Sequence, residues 1–516
     1  MRANLSLGLK NRPDPTPPDK ARASCWRLDV HLLGLIPIYL IALLIAVGSA
    51  GVANAEDARS ISAGAAALQS GQIGFVLLDP QTNQVLESQA SGQSFIPAST
   101  VKLLTAWMAL KVLGPAYRFE TRLTTNGPIV DGTLHGDLCI VGTGDPRLVM
   151  DDIRALVANL GSLGIKRVEG RLLVDDGALP LLLRLDPTQP AQSPTNAGVG
   201  ALSSEFNRVT VGWAQRGKGK GKTVSTWISP EADNLRATVV KPGILPRDAI
   251  NPMVDSHGGT TFELAADRST SGALAFPVAD PGLQTGALFK TASREAGIQM
   301  PEPTRGTLVG GRVLVVHDSP PLSELVTDML HYSNNQMAEL LGLATAQRLA
   351  GQPSSLQAAA QVVSEALARD VPVFAGKSAF LANLSGLSAR SRLTPLQLAS
   401  LLEMAARQPE GNAFMAMLAE GGLSGTLRGR LKGPAMAGRV HAKTGTMAYV
   451  SALAGYAQTQ SGRTLVFAIM CLDAGKRAAY DAAAGDRKPL DGPALRWIEN
   501  AKAVQDSLVS RWIQAY

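Results

Sequence analysis

Ser99 and Lys102 stand three residues apart in SFIPASTVKLLTAWMALKVLG, residues 94–114, a spacing that puts both side chains on one face of a helix. A serine hydroxyl is a poor nucleophile until a neighbouring base takes its proton. Lysine serves as that base only if its neutral form is populated. Lowering its pKa from about 10.4 by ~3 units costs about 4 kcal/mol, and burial together with a second positive charge supplies such a shift. The pair therefore calls for another cation close by. Without one, the same residues are a capped helix start followed by an exposed lysine.

Among the lysines of the chain only Lys102 has a serine three positions before it. Two further signals follow in order. Ser333-Asn334-Asn335 lies between two helical stretches, and Lys443-Thr444-Gly445 lies on a strand-like run; each is the only S-x-N or K-T-G in the chain. S-x-x-K on a helix, S-x-N in a connection and K-T-G on a strand form the motif set of penicillin-recognising serine enzymes. Ser333 follows Ser99 by 234 positions, so a large insertion separates the first two motifs.

On these motifs the chain resembles the low-molecular-mass penicillin-binding proteins of the D-alanyl-D-alanine carboxypeptidase/endopeptidase type, the subgroup with a large insertion between S-x-x-K and S-x-N. The phrases FIPASTVKLLTA, LHGDLCIVGTGDPRL, GALSSEFNRVTV, SGLSARSRLTP, GGLSGTLRGRL and HAKTGTMAYVSALAGY carry the likeness over most of the chain. The resemblance implies that Ser99 is acylated by a D-Ala-D-Xaa peptide bond of peptidoglycan, that Lys102 is its base, and that β-lactams inhibit it. It further implies that Ser333 relays a proton to the leaving amine and that Asn335 binds substrate backbone and fixes Lys102. Lys443 would be the second cation, joining Thr444, Gly445 and Thr446 at the substrate's terminal carboxylate, and the amides of Ser99 and Thr446 would form the oxyanion hole. One segment departs from the pattern. Where many relatives read D-G-S-G-L-S, this chain has NLSGLS, with Asn383 and Leu384 in the first two places, which puts local substrate contacts in doubt.

The elements that must position these residues are legible in outline. GFVLLDPQTNQVLESQA reads as a hairpin around DPQTNQ. A helix begins near Ala98 after Pro97, shows a stripe of Leu103, Leu104, Trp107 and Leu110, and stops at Gly114-Pro115. LSELVTDML and QMAELLGLATAQRLA read as helices joined by HYSNN. RVHAKTGTMAYVSALAGYAQT and GRTLVFAIMCLD read as adjacent antiparallel strands. The terminal helix ALRWIENAKAVQDSLVSRWIQAY has an apolar stripe of Trp497, Ile498, Ala501, Val504, Leu508 and Trp512, suited to packing on a sheet or to lying on a membrane. The implied fold class is α/β (α+β): a penicillin-binding/β-lactamase-like transpeptidase domain with an antiparallel sheet flanked by helices, plus inserted β-rich subdomains. The expected division is a signal peptide over 1–55, a catalytic domain over 56–118 and 318–516, and an inserted region over 119–317. That insertion would comprise two subdomains, 119–145 with 215–317, and 146–214. Its middle, from about Asp175 to Gly200, reads as Pro-rich loop, and DPTQPAQSPTNAGVG lacks aromatic residues expected between its strands.

Composition bounds the remaining readings. With 516 residues, 45% hydrophobic and 18% charged, the chain has ample material for a folded core and two or three domains. A basic start, the run LLGLIPIYLIALLIAVGSAGV and Ala53-Asn54-Ala55 read as a secretory signal cleaved after Ala55; an uncleaved anchor is the alternative. The expected destination is the periplasm or cell envelope. The formal charge of +7 falls to about +4 without residues 1–55, too little to argue for nucleic acid. RGKGKGK at 216–222 reads as a solvated loop, and RGKGKGKT lacks the first glycine of a phosphate loop, Arg216 standing in its place. Cys139 and Cys471 read as separately buried thiols, although the expected compartment permits a bridge. His135, His257, His317, His331 and His441 show no metal-ligand spacing, and no cofactor is implied.

Three competitors share the motifs. A class A β-lactamase needs a dedicated deacylating glutamate on a loop that this chain does not show. A transpeptidase differs only in its acyl acceptor, and the accessory domain typical of large transpeptidases is absent. A catalytically silent cell-wall-binding protein would not need the intact set Ser99, Lys102, Ser333, Asn335 and Lys443.

Overall fold

The computed structural model describes residue 68 and residues 71–216, 223–256, 258–268, 270–376, 378–483 and 490–516. The expected signal over 1–55 with Cys25, the basic loop from 217 to 222, and His257 lie outside the described residues. The described strands begin with the expected hairpin, β1 (Gln72–Asp79) and β2 (Gln84–Gln89). A 3-10 turn, Ala98–Thr100, leads into helix α1 (Val101–Leu113), which ends at Gly114 with φ 91°. The chain continues through β3 (Glu120–Thr125), β4 (Leu138–Gly142), helix α2 (Met150–Ser162) and β5 (Leu172–Asp175). Six strands follow: β6 (Arg208–Arg216), β7 (Thr223–Ser229), β8 (Leu235–Val240), β9 (Ile250–Val254), β10 (Thr260–Ala265) and β11 (Gly272–Pro277). Helix α3 (Pro281–Glu295), β12 (Pro303–Arg305) and β13 (Arg312–Asp318) lead to helices α4 (Leu322–Tyr332), α5 (Asn335–Ala350), α6 (Leu356–Asp370) and α7 (Pro395–Ala406). Strands β14 (Ala419–Glu420), β15 (Val440–Met447), β16 (Val450–Gln458) and β17 (Thr464–Leu472) precede the terminal helix α8 (Gly492–Ala515).

A six-stranded sheet, ordered β14-β15-β16-β17-β1-β2, is antiparallel throughout. Its two faces are both buried, so successive residues of one strand enter different cores. Val76 joins the apolar residues of α1 and α4–α7, whereas Leu77 joins Trp497, Ile498, Ala501, Val504, Leu508 and Trp512 of α8. The terminal helix thus spends its apolar stripe on the sheet rather than on a membrane. No helix among the described residues is long and apolar enough to cross one.

Residues between α1 and α4 build a mixed five-stranded sheet, β12-β5-β4-β3-β13, and three three-stranded sheets: β7-β6-β11, β8-β10-β9, and a small one of Ile129–Val130, Thr133–Leu134 and Arg167–Val168. Their separate core includes Leu123, Ile140, Leu156, Val174, Leu288 and Phe289. The stretch expected as loop around 175–200 holds short strands at Leu182–Arg184 and Ala197–Val199 and a 3-10 turn at Pro194–Asn196.

Two elements differ from their sequence reading. RVHAKTGTMAYVSALAGYAQT is a hairpin rather than one strand, because Ala448-Tyr449 forms a tight turn with Tyr449 at φ 57°. No Gly, Asn or Asp marks that turn, so the usual signal is missing. Helix α1 has far more than a stripe: every residue from Val101 to Ala109 is buried, as befits a helix in the centre of a core. Cys139 and Cys471 are free and buried, and burial pushes their thiols up to about 11 and about 12.

Trp512 is fully buried between the rings of Phe75 and Phe467, at centroid distances of 5.8 and 6.0 Å. Trp512→Ala should lose about 3–5 kcal/mol of stability in urea titration; a loss below about 1 kcal/mol would contradict the packing role assigned to α8.

Candidate active site

Three pieces of chain separated by hundreds of residues meet at the start of α1. The 3-10 turn presents Ser99, half-buried, and the first turn of α1 carries Lys102, fully buried. Ala98 has a positive φ of 47°, an uncommon conformation for a residue with a Cβ. Its carbonyl leaves no room at Gly386: a Cβ there would lie 1.9 Å from it. Gly445 plays a similar part on β15. A Cβ at 445 would lie 2.7 Å from the Pro97 carbonyl and 3.1 Å from the Ser99 amide, so glycine lets the K-T-G strand press against the turn that carries Ser99.

Lys102 Nζ lies 3.0 Å from Ser99 Oγ, 2.7 Å from Asn335 Oδ1 and 2.7 Å from the Ser385 carbonyl. The last two oxygens can only accept. A neutral amine has two N–H groups, which those acceptors take, and its lone pair is left for the serine hydroxyl. This arrangement depends on the direction of the Asn335 amide. Asn335 Nδ2 donates to the Thr195 carbonyl at 2.9 Å, and that carbonyl, on the 3-10 turn between β5 and β6, holds Oδ1 toward Lys102.

The second cation is present. Lys443 on β15 is fully buried and donates to Ser333 Oγ and to the Thr444 carbonyl, both at 2.9 Å. Ser333 caps α4 in left-handed conformation at φ 55°, and Asn334 caps α5 by accepting from the Met337 amide. The HYSNN connection thus narrows to two residues that turn both motif side chains into the site. Burial foremost, and the charge of Lys443 next, hold the Lys102 ammonium well below its ordinary range, with Glu339 opposing. Burial brings Lys443 down to about 7. Thr444 Oγ1 donates to Thr426 Oγ1 at 2.9 Å, Gly445 is buried at the contact just described, and Thr446 is exposed next to them.

Sequence reasoning missed the support beneath Lys102. Glu339, one turn after Asn335 on α5, is fully buried and accepts from the amides of Leu384 and Ser385 at 3.1 and 2.8 Å. Burial raises its carboxyl above the ordinary value, and Lys102 is among the groups pulling it back. Its signal was an acidic residue four positions after Asn335, inside the apolar run QMAELLGL. The NLSGLS segment contributes backbone here: Asn383 Oδ1 accepts from the Gly386 amide, while the Ser385 carbonyl faces Lys102. The acidic side chain absent from this segment is therefore not what holds the lysine.

Among the described residues no group of three or more His, Cys, Asp or Glu side chains is placed to hold a metal ion.

The sequence profile of the D-Ala-D-Ala carboxypeptidase 3 (S13) family matches residues 56–488. The D-alanyl-D-alanine carboxypeptidase of Actinomadura sp. (strain R39) is 32% identical, covering 86% of this chain and 84% of its own. The D-alanyl-D-alanine carboxypeptidase DacB of Haemophilus influenzae is 27% identical over 77% of this chain and 85% of its own. The crystal structure of penicillin binding protein 4 (dacB) from Haemophilus influenzae superposes with TM-score 0.72 at 24% identity, covering 88% of this chain and 99% of that one.

Removing the charge of Lys443 relieves the repulsion that lowers Lys102. In Lys443→Ala the Lys102 pKa should rise, and the acid limb of the acylation rate against pH should move to higher pH. An unmoved limb, measured with a chromogenic β-lactam, would separate the two lysines. Gly386→Ala should slow that acylation by more than about tenfold by displacing the Ala98–Ser99 turn; an unchanged rate would remove the packing argument.

Proposed function

The chain belongs to the D-Ala-D-Ala carboxypeptidase 3 (S13) family, and from that premise we propose that Ser99 is acylated by the peptide bond between two terminal D-alanines of a peptidoglycan stem peptide. The chain is a serine peptidase acting on peptidoglycan. The observation that carries the assignment to Ser99 is the environment of Lys102, which is dry, beside a second cation, and left with its lone pair toward Ser99 Oγ at 3.0 Å.

Lys102 takes the Ser99 proton as Oγ attacks the penultimate D-alanine carbonyl. The developing oxyanion is received by the amides of Ser99 and Thr446, where loss of one such donor typically costs about 3–4 kcal/mol. Ser333, hydrogen-bonded to Lys443, passes a proton to the leaving amine and the C–N bond breaks. Lys443, Thr444, Gly445 and Thr446 hold the substrate's terminal carboxylate, and Asn335 its backbone. Water then hydrolyses the ester at Ser99, returning the free carboxylate and the serine. β-Lactams enter by the same attack and remain as the acyl group. We further propose that residues 119–317 form an insertion into the catalytic domain, and that the chain acts in the periplasm or cell envelope after loss of residues 1–55.

The rate should follow a bell in pH. It rises as Lys102 loses its proton, and falls as Lys443, near about 7, loses the charge that holds the carboxylate. Fluorescent penicillin should label the wild type and leave Ser99→Ala unlabelled; an unlabelled wild type would sink this reading. With purified muropeptides, release of terminal D-alanine marks carboxypeptidase action, and conversion of cross-linked dimers to monomers marks endopeptidase action.

A further inference from the structure

A cavity of about 600 Å³ opens in the inserted region on the sheet β7-β6-β11, bounded by Arg154, Glu205, Arg208, Glu231 and Glu295, among others. Most of its charged groups are already engaged. Arg154 pairs with Asp151 and Glu295, and Glu205 Oε1 accepts from the Met150 amide. Arg208 is different. It is half-buried where it lines the cavity, and among the described residues no carboxylate pairs with its guanidinium. Burial lowers its pKa with no acidic neighbour offsetting the shift. Such a charge is costly to desolvate, and carboxylate is the partner whose geometry its fork fits.

Two more observations point to an occupant. Glu231 lines the same cavity, is exposed, and makes no ion pair with Arg208 among the described residues. One free cation and one free anion thus share a cavity without neutralising each other. The rim is strained as well: Glu205, Phe206 and Asn207 are three consecutive non-glycine residues at φ 50°, 54° and 53°. Such outliers persist where surrounding structure enforces them, and they cluster at binding sites. Asn207 donates to the Gly198 carbonyl, and the preceding turn holds Thr195, whose carbonyl receives Asn335.

We propose that this cavity is a second, non-catalytic binding site for a zwitterionic peptide, with a carboxylate on Arg208 and an ammonium group on Glu231. The ligand class rests on the peptidoglycan-peptide reading above, since a stem peptide carries both charges. Thr210 and Ser229, which line the same cavity, would supply the remaining polar contacts. The site gives the inserted region a grip on peptide that Ser99 does not cleave.

The test is calorimetric titration of the full Ser99→Ala chain with alanyl-γ-glutamate, its N-acetyl form and its carboxyl-amidated form. Alanyl-γ-glutamate should bind saturably, the amidated form at least tenfold more weakly, and Arg208→Ala should weaken the free dipeptide by roughly tenfold. Absent binding, or equal binding by Arg208→Ala, overturns the proposal. Penicillin labelling of Arg208→Ala in the Ser99 background reports folding. Should that variant misfold, Glu231→Gln at its exposed position decides: it should weaken the free-amine dipeptide and spare the N-acetyl form, and an equal effect on both overturns the assignment. Failure of penicillin to label the wild type would sink the Ser99 reading and leave this titration intact.

Discussion

Two lysine side chains buried in one dry site are the constraint around which this half of the structure is arranged. Each lysine nitrogen sits among oxygens that compensate its lost hydration, and neither has a carboxylate in direct contact. Glu339 shows how that balance is kept. Its charge is spent on two backbone amides of the 383–386 turn, so it anchors the carbonyl that faces Lys102 without forming the ion pair that would lock the lysine protonated. A carboxylate in direct contact would favour the charged amine.

The same constraint explains why the site is assembled from distant segments. A single helix offers Lys102 only neighbours on its own face, and helix backbone carbonyls are already bonded. Its acceptors come from α5 and from the turn before α7, separated from it by 233 and 283 residues. The glycines at 386 and 445 are the places where those segments come close enough to the 98–99 backbone to matter.

This geometry also sorts what could be read from sequence. The motif residues were legible because each string carries its own local setting: a helix start at Ser99, a two-residue break between helices at Ser333, a strand at Lys443. The demand for a second cation followed from the chemistry of one lysine and pointed to Lys443. The antiparallel sheet was legible from its apolar runs, whereas the Ala448–Tyr449 hairpin was hidden because its turn uses residues without turn preference. Glu339 and the Thr195 carbonyl were invisible for a different reason. Their partners are backbone atoms or an amide far along the chain, and backbone partners leave no mark on residue identity. The placement of Arg208 beside a cavity likewise depends on β6 pairing with β11.

The pairing of β1 with β17 carries a consequence for how the protein comes into being. Residues 72–78 bond with residues 466–472, so the central sheet spans nearly the whole chain. During synthesis β1 can pair at once with β2, but its other edge must wait open, with apolar residues for both cores, until the last strand has emerged. The intervening segments of 119–317 have their own core and can fold meanwhile. Closure of so long a loop is entropically slow, and waiting strand edges are prone to wrong partners. The order of assembly is thus written into the topology: residues 119–317 ripen first, and Ser99, which has Lys102 beside it from the start, meets Lys443 only when the final strands arrive.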